Sequence, residues 1–349
     1  MTGGVTPGGE GRHMRNRYLV SMGVAALVMI AGWPSQTGVA AQAPAVVSTQ
    51  QAPATWVVPT TPNGQPDLQG YWTSLSFTPF ERPEEYGTRE FLTDEELQEL
   101  FQAGVDHSYE FTFANSSETP VYDATVYGLD AWQNGVQPNG RTSQVVDPAN
   151  GQLPPMTPEG QARRSGGGGN REGPFDGPED LTTGVRCLTF GGPPIPTGSS
   201  YNRNVFILQG KDHVVLEYEW GSATRVVSLD DRPHLSSAIS AWRGDSRGRW
   251  DGDSLVIETT NFKPGYAPQN SNAATVRMTE RFTRIDETTI EYRYTIDDPS
   301  TWTRPWTATT PLSKVDGPLF EYACHEGNNG LVNMLEGSRA EETPTRTSP

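Results

Sequence analysis

The sequence predicts an all-β fold, an antiparallel meander that closes into a barrel or folds over as a sandwich, with one short N-terminal helix and long loops. Three observations predict it. From residue 204 onward, short runs rich in β-branched and aromatic residues recur roughly ten residues apart, divided by Gly, Asp and Pro, which is the mark of a meander. Residues 291–296 (EYRYTI) alternate with period two, the signature of a half-buried strand. No internal repeat and no alternation of strand and helix signals occurs, which disfavours a doubly wound α/β fold.

The first element is not fold. Arg15 and Arg17 precede an almost wholly apolar run over 19–30, and small residues follow at Val39, Ala40 and Ala41. This is the layout of a secretory signal peptide over 1–41, with Met14 as an alternative start. The apolar run is too short for a stable bilayer anchor. Cleavage near Ala41 implies a periplasmic or extracellular protein with no stable membrane insertion afterwards. Residues 42–66, rich in Pro, Ala, Thr and Gln, read as an extended lead-in, and a single domain spans 67–340, with a disordered tail over 341–349.

Order starts at DLQGYWT (67–73). Thr93 with Glu96 is a capping-box pattern, followed by Leu97, Leu100 and Phe101 at helical spacing. Residues 120–146 read as irregular strand that runs into a turn over 147–151. Residues 165–180 lack periodicity and apolar content, and read as a flexible surface loop. Strands are expected over 205–208, 214–218, 223–229, 254–260, 275–285, 289–296, 302–310 and 319–324. A meander must hide its edges, which closure or folding over accomplishes.

The 349-residue chain has a formal charge of −16. Arg12, Arg15 and Arg17 against Glu10 give the 1–41 segment +2, so the mature part stands at −18. That repels nucleic acid and anionic membrane surfaces. The mature part has two cysteines, Cys187 and Cys324. In an oxidising compartment such a pair reads first as a disulfide, with a pair of buried free thiols as the alternative. A thiolate metal site is disfavoured because neither has a nearby ligand at metal-binding spacing. No metal and no cofactor is expected, and the sequence leaves the oligomeric state open.

Several motifs carry candidate chemistry. Residues 252–255 spell GDSL and 231–234 spell D-x-x-H, the pieces of a serine hydrolase. Their order is reversed relative to that chemistry, and Asp-Gly between two β runs signals a hairpin turn instead. His325 beside Glu326 suits acid–base chemistry, because histidine titrates near neutral pH and a carboxylate can orient it. The plainer reading puts them at a strand end beside the disulfide. No histidine follows four residues on, and residues 328–330 (NNG) are turn chemistry, so a zinc helix is disfavoured. His234 lies in the charged run DDRPH (230–234) with Arg232, and Arg247, Arg249 and Trp250 lie in DSRGRWD (245–251). Arginine beside an aromatic ring can hold a carboxylate, a sulfate or a sugar ring, and can equally glue a loop through ion pairs. The candidate site is therefore His325, Glu326 and His234 as catalytic groups, with Arg232, Arg247, Arg249, Trp250 and Tyr322 as ligand-binding groups. The aromatic rings are mostly core, and a subset lines a ligand cavity if the meander closes.

Gly70-Tyr71-Trp72 resembles the G-x-W that opens lipocalin-like barrels. Residues 244–256 (GDSRGRWDGDSLV), the TNF at 260–262, and 322–328 (YACHEGN) resemble motifs of an abundant family of uncharacterised exported bacterial proteins, as do RTS at 141–143 and VDP at 146–148. That resemblance covers most of the mature chain and implies a shared fold and site without bringing a reaction. Where the family pattern has glycine, this chain has Asp231, an added carboxylate beside Arg232. Three functions stand open: an exported enzyme acting on a small partly apolar or carboxylate-bearing molecule by His/Glu chemistry, a non-catalytic barrel that binds a small-molecule ligand, and a structural surface protein.

Overall fold

Wherever apolar and polar residues alternate from 204 onward, the chain is extended, and the period-two side chains share one interior. The computed structural model describes residues 56–100, 102, 139–167, 175–189, 193–195 and 202–342, all in one compact unit. The signal segment, most of the lead-in, the strand reading over 120–138, the middle of the 165–180 loop and the end of the tail lie outside the described residues.

The strands are β1 (Gly70–Thr73), β2 (Val145–Asp147), β3 (Asn204–Gln209), β4 (His213–Tyr218), β5 (Ala223–Ser228), β6 (Asp245–Asp251), β7 (Ser254–Thr260), β8 (Arg277–Arg284), β9 (Thr289–Asp297) and β10 (Trp306–Lys314). The order β1-β3-β4-β5-β6-β7-β8-β9-β10, with β1 pairing β10, is a closed nine-stranded barrel. Closure, not a sandwich, therefore removes the edges. β10 shares its second edge between β1, at Ser313 and Lys314, and β2, at Thr307 and Ala308.

Every ladder round the barrel is antiparallel except one. β5 and β6 run parallel and meet at a single pair, Ser228 with Arg247, after a crossover over 229–244. Gly248 allows the close approach at this seam, since a Cβ there would stand 2.8 Å from both Leu229 Cδ2 and Val227 Cγ1. β6 is a strand where the sequence analysis expects none, at DSRGRWD (245–251). Asp245, Arg247, Arg249 and Asp251 take one face, and Ser246, Gly248 and Trp250 the other. The inward set is small or half-buried instead of β-branched, so the alternation carries no apolar signal.

Two more expectations need correction. Residues 319–324 form no strand, because they leave the barrel as an extended tether to the disulfide. Asn329 does not end in a turn but begins the helix α3 (Asn329–Glu342). The Asn328 side chain accepts from the Leu331 N–H at 3.4 Å, so the turn-forming asparagine serves as an N-cap. The helix expected after Thr93 is α1 (residues 94–100). Its capping box is complete: Thr93 N–H donates to Glu96 at 2.8 Å, and Glu96 N–H to Thr93 Oγ1 at 3.3 Å. Leu97 is the residue it buries. A second helix, α2 (Pro158–Gly167), enters the segment read as a loop from 165, and Phe175, within the same segment, is buried with its N–H on Ser338 of α3.

Leu68, Trp72, Val205, Ile207, Val214, Leu216, Leu255, Ile257, Phe282, Ile290, Tyr292, Trp306 and Leu312 fill the barrel and have no accessible surface. The barrel interior is thus lined and filled by buried side chains. Cys187 and Cys324 are bonded, with Cα atoms 5.6 Å apart, and no helix among the described residues is long and apolar enough to cross a membrane.

Candidate functional site

The residues nominated from sequence fall into three places. On the outer wall, His234, Arg232 and Arg247 share carboxylates. His234 Nδ1 lies 2.8 Å from Asp245 and Nε2 3.0 Å from Glu258. Arg247 reaches Asp245 at 3.2 Å and Asp230 at 3.7 Å, and Arg232 pairs with Asp230 at 2.5 Å. Arg277 completes the chain through Glu258. The Arg232 guanidinium holds the Asp230 carboxyl down at about 2. For Glu258, burial pushes upward, but the hydrogen bonds and charges of Arg277 and His234 together outweigh it and leave the group below its ordinary value. These charges satisfy one another and fasten the crossover to β6 and β7. Leu235 N–H also donates to Asp245 at 3.0 Å, and the Asn261 amide donates to the carbonyls of Leu235, Ser236 and Ile239 at 2.9–3.0 Å.

Arg249 lies exposed on the outer face of β6, and Trp250 packs against the core with an indole N–H that has no partner among the described residues. The third place is the segment after β10. Tyr322 takes the Ser222 hydroxyl with its N–H at 3.0 Å and lies 6.1 Å from Trp220, beside the β4–β5 turn. His325 and Glu326 are exposed on the turn after the disulfide, and among the described residues their side chains make no hydrogen bond or ion pair. No described contact joins them to His234 or to Arg232, Arg247 and Arg249.

The motif residues around them have structural work instead. Cys324 bonds Cys187, and the Asn328 amide donates to Val185 O at 2.8 Å while its oxygen caps α3. Ser254 of the GDSL string is buried, with its hydroxyl 2.7 Å from Thr283 Oγ1 across the β7–β8 ladder, so it is no exposed nucleophile. Gly252, at φ 59°, opens the two-residue turn between Asp251 and Ser254.

Sequence reasoning missed a fourth place, inside the barrel. Arg225 of β5 and Glu280 of β8 form an ion pair at 2.5 Å with side chains 2% and 0% exposed. Arg225 also donates to Ser246 Oγ at 2.9 Å, Thr259 Oγ1 at 2.7 Å and Tyr218 Oη at 3.4 Å. Tyr292 Oη donates to Glu280 at 2.8 Å and accepts the Ile195 N–H at 3.0 Å. Burial and the Glu280 charge push the Tyr292 hydroxyl well above its ordinary range. The network joins β4 to β9 through the lumen and braces the seam that has only one ladder pair. An arginine inside TRV (224–226) was hidden by its surroundings, since the run reads as an ordinary strand. The available signal was the parity that places Arg225 in line with Ala223 and Val227.

Residues 181–189 and 193–195 form a cap on this end of the barrel: Leu181, Thr189 and Ile195 are buried, the Ile195 N–H donates to the luminal Tyr292 hydroxyl, and Cys187 of the disulfide lies two positions before Thr189. Arg243, at the entry to β6, is half-buried and donates to Thr189 Oγ1 at 3.1 Å. No known protein family, curated protein or solved structure matches this chain. Among the described residues, no three His, Cys, Asp or Glu side chains are arranged to hold a metal ion.

Proposed function

We propose that this chain is an exported ligand-binding β-barrel that works by recognition, not catalysis, with its small-molecule ligand at the capped end. The observation that carries this reading is the seam between barrel rim and cap, where the half-buried Arg243 meets Thr189. Binding sites gather where loops converge on a rigid scaffold and present a few polar groups. The acid–base groups nominated from sequence support catalysis less well. Both ring nitrogens of His234 already face carboxylates, and His325 lacks an orienting partner. The N-terminal layout, the disulfide and the resemblance to exported bacterial proteins support export. A filled lumen also favours a second reading, a structural surface protein.

A thermal-shift screen of the exported protein against small organic acids, their neutral amides and sugars tests the proposal. One chemical class should raise Tm, and His325→Ala and Glu326→Gln should keep that response. Turnover that disappears in His325→Ala would overturn it in favour of catalysis, and a screen with no response would leave the structural reading. The exported protein should start near Gln42 by mass spectrometry, whereas an intact Met14 would refute processing.

A further inference from the structure

We infer that Arg243, with Thr189 of the cap beside it, is a recognition point for the carboxylate head of a small organic acid that enters between cap and barrel rim. This deepens the ligand-binding reading and rests on it. A guanidinium offers five N–H groups in a planar fork, and the described structure gives Arg243 one partner, the neutral hydroxyl of Thr189. No carboxylate among the described residues lies within ion-pair distance of it. Other buried arginines are provided for differently. Arg225 has Glu280. Arg284 donates to the carbonyls of Asp67, Asp286 and Glu287, and Arg82 to Thr142 and the Ala149 carbonyl.

Charge at this end points the same way. Burial pushes the Arg243 guanidinium below its ordinary value, Tyr218 opposes that, and the Arg225 charge adds to it. Glu280 neutralises Arg225, so it does not serve Arg243. Glu219 is buried and accepts the Asn204 N–H at 3.3 Å, and Asp245, two residues after Arg243, is taken up by His234 and Arg247. One positive charge is therefore left half-desolvated at a rim of a protein whose total is −16. A planar carboxylate matches the fork bidentately.

The test is isothermal titration of the full exported protein, disulfide intact, with benzoate, its neutral isostere benzamide, and inorganic phosphate. Wild type should bind benzoate at least tenfold more tightly than benzamide, and Arg243→Gln should erase that ratio without changing benzamide binding. Thr189→Val should alter benzoate affinity by a few fold and leave benzamide alone, a second readout should Arg243→Gln fail to fold. A purely structural arginine would not discriminate between charged and neutral isosteres. Benzoate binding unchanged in Arg243→Gln overturns the inference and leaves the ligand-binding reading standing, as does binding of benzamide alone. Arg243-dependent binding of phosphate without benzoate overturns the carboxylate class. No binding of any probe to wild type overturns the inference, and with an unresponsive ligand screen it removes the binding reading too.

Discussion

Glu280→Gln tests whether the buried ion pair braces the barrel. The substitution keeps the shape of the side chain, and an amide oxygen can still accept from Tyr292. What disappears is the negative charge opposite Arg225, whose side chain is 2% exposed and has no water to turn to. Removing one partner of a buried pair costs about 3–5 kcal/mol, because the remaining charge stays desolvated. The compact unit runs from Ala43 to Pro349. At about 2.1 cal/mol/K per residue its unfolding entropy is about 0.6 kcal/mol/K, so Tm should fall by about 5–8 °C. Urea unfolding followed by tryptophan fluorescence gives the free energy, and calorimetry gives Tm. The companion double variant Arg225→Met/Glu280→Leu removes both charges and should lie closer to wild type than Glu280→Gln does. A single variant within about 1 kcal/mol of wild type, or a double variant no better than the single, would refute the reasoning.

Two further outcomes follow from the same structure. Alkylation of the unreduced, denatured protein should leave Cys187 and Cys324 unlabelled. Replacing both by Ser releases a constraint over 137 residues, about 5 kcal/mol in the chain-entropy account, so labelling without reductant or a negligible loss in urea would count against it. For Asp298, burial pushes the pKa upward, but hydrogen bonds from Thr301, Thr275, Asn272 and Ser300 outweigh it and leave the carboxyl below its ordinary value. A depressed folded pKa stabilises above the unfolded value of about 3.9 and loses that contribution as pH falls through the folded one. The stability gap between wild type and Asp298→Asn should thus be full at pH 7 and shrink below about pH 4. A gap independent of pH would refute the charge-based account.

Residues 205–208, 214–218 and 289–296 were legible as strands because their inward positions are Val, Ile, Leu and Tyr, so burial and propensity agree. β6 was not, because charges mark its outer face while Ser246 and Gly248 mark its inner one. The capping box at Thr93 was legible because its hydrogen bonds are local. Asn328 was misread for the complementary reason, since a turn and an N-cap need the same side chain and only the following backbone distinguishes them.

The site divides along the same line. The sequence by itself determined the all-β class, the turn nature of the GDSL string and a cysteine pair suited to bonding, since each depends on neighbours along the chain or on composition. Barrel closure, the parallel seam, the Arg225–Glu280 pair and the meeting of Arg243 with Thr189 were decided only by the tertiary structure. Those contacts join residues 54 and 55 positions apart in the chain, and no local signal reports which distant group will face a buried charge. The pairing follows from strand register and parity, which fix the two partners only once the barrel has closed.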